Sequence, residues 1–105
     1  MRALLFLPDF AKANKNDLSV VIRSSGIQLV ECDTEEEVFT RMNEPGISLR
    51  RSLLITDETH SNLVEKFSQI YPNCLIILTI RSAIGLLPAN LRECLPVQCF
   101  VASNN

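Results

Sequence analysis

A chain of 105 residues has room for one domain and one hydrophobic core. Its 10 basic and 12 acidic residues give a formal net charge of -2, and only Arg50 and Arg51 are adjacent among the basic ones. That spread excludes the clustered basic face needed to grip a nucleic-acid backbone, and the longest apolar run, Cys74 to Ile80, is far too short to cross a bilayer.

Arg2 to Leu7 reads as a first strand, stopped by Pro8, which cannot donate to a ladder. The run is too short for a secretory leader, so a cytosolic location is expected. A polar connection follows, and then a helix from Asn14 or Asn16 to Ser25. Either Asn could cap it, with Leu18, Val21, Ile22 and Ser25 on its inward face. Gly26 supplies a left-handed residue at the helix end.

Ile27 to Cys32 is a second strand, and its partial alternation suggests an edge or near-edge position. Thr34 with Glu37 forms a capping box for a second helix. Glu35, Glu36 and Glu37 sit where the helix dipole favours negative charge. Val38, Phe39 and Met42 form the inward stripe, and Pro45-Gly46 end the helix.

The third strand, Leu53 to Thr56, is apolar or β-branched and ends on Asp57. An Asp at this point is either a functional group or the residue that receives the next helix. That helix starts at Ser61 or Asn62, with Leu63, Val64, Phe67, Ile70 and Tyr71 at helical spacing. Leu75 to Ile80, apolar apart from Thr79, has the character of a central parallel strand covered on both faces. A short helix from Pro88 to Cys94 and a fifth strand from Val97 to Ala102 follow, and nothing after them reads as a fifth helix. The alternation predicts one α/β domain over residues 1–105: a three-layer, flavodoxin-like five-stranded parallel sheet of order 2-1-3-4-5.

Cys32, Cys74, Cys94 and Cys99 include no Cys-x-x-Cys pair, and His60 is the only histidine. The thiols read as free and buried, and His60, in a polar loop, as solvated. The three glycines are isolated, so no loop cradles a nucleotide. No nucleophile–base pair can be named either, so the chain is not expected to be an enzyme.

In this layout Asp9, Asp57 and Thr79 meet at the carboxyl ends of strands one, three and four, where α/β sheets place their ligands. The set resembles the receiver domain of two-component response regulators. The matching stretches are Ala3-Leu-Leu-Phe-Leu-Pro-Asp9, Ser25-Gly26-Ile27-Gln-Leu-Val30, Leu53-Leu-Ile-Thr-Asp57 and Cys74-Leu-Ile-Ile-Leu-Thr79. The resemblance implies Asp57 as phospho-acceptor, Thr79 as switch hydroxyl, and Asp9 with Asp57 as ligands of a magnesium ion, the one cofactor in view. The chain also departs from the pattern. Asp9 has no second acidic neighbour, the segment after Asp57 has neither Pro nor Gly, and Ala102-Ser103-Asn104 stand where a Lys-Pro pair belongs. These departures imply a degenerate receiver that acts by binding a protein partner or a second copy, without normal phosphotransfer. An apolar face near strands four and five is expected to serve that association. Leu53-Leu-Ile-Thr-Asp-Glu58 also resembles part of the small central-stalk subunit of vacuolar and archaeal-type rotary ATPases, which implies a structural subunit as one alternative; a working phospho-accepting receiver with Asp57 as acceptor is the other.

Overall fold

The computed structural model describes residues 1–44, 52–80 and 99–103. Strands β1 (Arg2–Leu5), β2 (Gln28–Glu31), β3 (Ser52–Asp57), β4 (Leu75–Ile80) and β5 (Cys99–Ser103) alternate with helices α1 (Lys12–Ser24), α2 (Glu35–Met42) and α3 (Ser61–Ile70). A single 3-10 turn, Glu58–His60, joins β3 to α3. The sheet is parallel throughout, with the order β2-β1-β3-β4-β5 expected from the sequence. The Pro45-Gly46 helix end, the lead-in to β3 and the Pro88–Cys94 helix lie outside the described residues.

Two apolar layers sandwich the sheet. Leu4, Leu54, Ile76 and Leu78 pack on one face with Val38 and Met42 of α2 and with Leu63, Val64 and Phe67 of α3. Ala3, Leu5, Leu53 and Ile55 pack on the other with Ile22 of α1, joined by the half-buried Leu18 and Ile77. Side chains alternate between faces along a strand, so both sides of β1 and β3 are buried and their sequences are near-continuous hydrophobic runs. β2, at the edge, keeps Gln28 and Glu31 exposed. Arg2 is buried as well, and its guanidinium donates to the carbonyl of Arg41 at 2.7 Å. That contact places a cation at the C-terminal end of α2, where the helix dipole favours one.

The first helix differs from the expectation. It begins at Lys12 with Ala11 as its N-cap and no side-chain cap, so Asn14 and Asn16 lie inside it. The Leu7–Phe10 turn, closed by the Phe10 N–H on the Leu7 carbonyl at 3.2 Å, ends early enough for the helix to start there. Its inward residues are Leu18, Ser19 and Ile22, whereas Val21 is 61% exposed and Ser25 is exposed. Gly26 takes φ +82° beyond the helix end, a conformation that glycine adopts freely.

The second helix follows its sequence signal more closely. Thr34 Oγ1 accepts from the Glu37 N–H at 3.1 Å, while Glu37 reaches back to the N–H of Asp33, one residue before the cap. Cys32 and Cys74 are buried. Burial, reinforced by nearby Glu37, pushes the Cys32 thiol up to about 11, and burial raises Cys74 as well. Both therefore stay protonated at neutral pH and behave as small hydrophobes. The side chains of Cys94 and Cys99 are outside the described set.

Phe67 is the largest fully buried side chain among the described residues and sits against Phe39 and Tyr71. Phe67→Ala is expected to lower stability by about 3–5 kcal/mol in urea unfolding. A loss under about 1 kcal/mol would mean that α3 does not anchor this layer.

Candidate functional site

The site lies at the carboxyl rim of β1 and β3, and each of its members is placed by a different local device. Asp9 is the third residue of the Leu7-Pro8-Asp9-Phe10 turn. Pro8 presets the turn's backbone at the second position, and the Asp9 side chain is left 67% exposed. Asp57 is the last residue of β3. By alternation with Leu53 and Ile55 it belongs to the α1 face, and it is almost wholly buried.

One oxygen of Asp57 has a structural task. Its Oδ1 accepts from the Thr59 N–H at 2.9 Å and from the Thr59 hydroxyl, capping the 3-10 turn. Such bonds are the usual way in which a strand-end Asp starts a turn. Both readings of Asp57 therefore meet in one side chain: it receives the turn into α3, and it faces the rim. No hydrogen bond falls on its Oδ2 among the described residues.

His60 was expected to be solvated; it is instead the third member of the cluster. Three residues beyond Asp57, it closes a 3-10 turn, in which positions i and i+3 stack over one another. Its ring lies 4.7 Å from that of Phe6 and its side chain is only 16% exposed. Its Nε2 stands 3.4 Å from Asp9 Oδ2 and 3.7 Å from Asp57 Oδ1. That atom is buried and makes no hydrogen bond among the described residues. Ligand-capable atoms of Asp9, Asp57 and His60 all lie within 4.8 Å of one another. The spacing Asp57-x-x-His60 was the available signal, but it becomes informative only once the intervening residues are known to form a 3-10 turn rather than an open loop.

Thr79 is the register partner of Asp57 across β3 and β4. Alternation with Ile77 puts it on the same α1 face as Asp57. Its side chain is buried, and its Oγ1 has no hydrogen-bond partner among the described residues. Thr56, one residue before Asp57 and on the opposite face, does bond the backbone, donating to the Phe6 carbonyl at 2.8 Å. The sequence-predicted residues Asp9, Asp57 and Thr79 thus converge, and His60 joins them.

The donor set bears on which cation it suits. Magnesium takes oxygen ligands in near-octahedral array and keeps several waters. Here an imidazole nitrogen stands between the two carboxylates, so the group fits magnesium poorly.

No family model matches the sequence, and no curated protein matches it. Solved structures do match the fold. A response regulator from Thermotoga maritima superposes with a TM-score of 0.67 at 15% identity, covering 96% of this chain and 85% of that one. The Saccharomyces cerevisiae complex of a histidine phosphotransfer signaling protein with the receiver domain of its downstream response regulator gives 0.66 at 12% identity, covering 98% of this chain and 79% of its match. The chain has a receiver-like α/β fold. Among the described residues no helix is long and apolar enough to cross a membrane.

An unbonded buried hydroxyl costs stability. Thr79→Val is therefore expected to leave the protein as stable as before or more stable by roughly 1 kcal/mol in urea unfolding. A loss of about 2 kcal/mol would show that the hydroxyl has a structural partner after all.

Proposed function

We propose that this domain is a signalling module of receiver type that works by docking to a protein partner, without phosphotransfer through Asp57 and without enzymatic turnover. The observation that carries this reading is the position of His60, whose ring nitrogen stands in the space beside the two carboxylates, 3.4 Å from Asp9 and 3.7 Å from Asp57. In a phospho-accepting carboxylate that space serves the cation and the incoming phosphoryl group. Asp57 also has Oδ1 committed to Thr59, so the oxygen is tied to the start of α3. Ala102, Ser103 and Asn104 stand at the end of the fifth strand, and none of them is a lysine that could neutralise an acyl phosphate by a charge-assisted contact.

A protein partner is the reading that the fold supports best. One of the matching structures is itself a complex between a receiver domain and a histidine phosphotransfer signaling protein. The formal charge of -2 and the scattered basic residues argue against a nucleic-acid partner. Of the apolar face expected near strands four and five, Leu75 is 38% exposed; the β5 side chains lie outside the described set.

Incubation with magnesium and a small phosphodonor, read by intact mass, tests the proposal. No phosphoryl adduct is expected on the wild-type chain. An adduct that forms on the wild type and disappears in Asp57→Asn would overturn it.

A further inference from the structure

The geometry points to a transition-metal site at the rim, formed by Asp9, Asp57 and His60, that takes zinc or a similar divalent ion in preference to magnesium. This rests on the reading that Asp57 is not a phospho-acceptor, and it gives the same carboxylate a different use.

Three observations carry it. The first is spacing. Bonds of about 2.0–2.2 Å from a metal to imidazole nitrogen and carboxylate oxygen place tetrahedral ligands about 3.3–3.6 Å apart. His60 Nε2 is already 3.4 Å from Asp9 Oδ2 and 3.7 Å from the Asp57 carboxylate at Oδ1; since Thr59 holds Oδ1, the other oxygen of that carboxylate, Oδ2, is the one left to ligate. The remaining separation is held within 4.8 Å, and Asp9, at 67% exposure on a turn, is the member with room to close it.

The second observation is chemical type. Two carboxylates and one imidazole form a mixed nitrogen and oxygen set. Imidazole suits zinc, copper, iron and nickel, whereas magnesium and calcium prefer oxygen alone. Three protein ligands also leave a fourth position open for water or an anion.

The third is independent of the three ligands. Thr79 is nine-tenths buried, its Oγ1 makes no hydrogen bond among the described residues, and it sits beside Asp57 on the same sheet face. A buried hydroxyl left without a partner marks a group that something else satisfies. A water or anion in the fourth metal position, next to Asp57, supplies that partner. His60 Nε2 is likewise buried and unbonded, though it is flanked by two carboxylates. A cation between the three atoms answers both vacancies at once, whereas magnesium coordination would leave the nitrogen unused.

The competing account is that His60 simply packs against the two carboxylates by direct contact. It predicts no metal uptake, which makes the two separable. The test is titration of the 105-residue chain with cobalt(II), a spectroscopic substitute for zinc, followed by visible absorption. One equivalent should bind, with a d–d band, and zinc should displace it while an equal concentration of magnesium does not. Thiolate-to-cobalt charge transfer should be absent, since the buried cysteines take no part. His60→Gln should weaken cobalt binding more than about tenfold. Asp9→Asn should weaken it in the same direction, and its exposed position keeps that variant folded. The proposal is overturned if the wild type takes up no cobalt, if a thiolate band appears, if magnesium displaces cobalt as readily as zinc does, or if both variants bind cobalt like the wild type. A phosphoryl adduct on Asp57 would overturn the functional reading without changing the cobalt titration, so the two failures are distinguishable.

Discussion

Register between the central strands is the constraint on which the site depends. Leu53 lies against Leu75, Ile55 against Ile77 and Asp57 against Thr79. On the other side Ala3 lies against Leu53 and Leu5 against Ile55. A slip of one residue would exchange the two faces of β3. Asp57 would then point into the layer occupied by Val64 and Phe67, and Leu54 would leave it. Burial on both faces makes such a slip costly, because Leu53, Leu54 and Ile55 are all buried. The hydrophobic pattern that builds the core thus also aims the carboxylate.

Short connections do the rest. A single turn after β1 holds Asp9 at the rim, and a single 3-10 turn after β3 brings His60 back over Asp57. A longer loop after β3 would carry a residue at that position away from the carboxylate. The bond from Thr59 to Asp57 fixes the turn, and the turn fixes the histidine. The ring of Phe6, from the segment just past β1, covers the other side of the imidazole. Placing His60 between two carboxylates therefore follows from local chain geometry, with the sheet as its base.

Much of this was legible in the sequence. The strand order, the parallel sheet, the Thr34 capping box and the convergence of Asp9, Asp57 and Thr79 follow from hydrophobic periodicity and from the rule that ligands gather at strand ends. Two features were not legible. The start of α1 depended on a turn closing at Phe10, which moved the helix two residues ahead of the nearest capping Asn and rotated Val21 outward. His60 depended on the backbone between two polar residues, Glu58 and Thr59, for which loop and 3-10 turn have the same composition. Periodicity reports which face a residue takes within an element. It says little about a three-residue connection whose shape is set by one side-chain hydrogen bond.

The central claim is that His60 sits against both Asp9 and Asp57. The chain has a single histidine, so its imidazole resonances are unambiguous in a long-range proton–nitrogen correlation spectrum. At fixed pH, both Asp9→Asn and Asp57→Asn should shift the His60 ring signals. If neither substitution moves them while the fold is retained, the imidazole does not lie between the two carboxylates and the account fails.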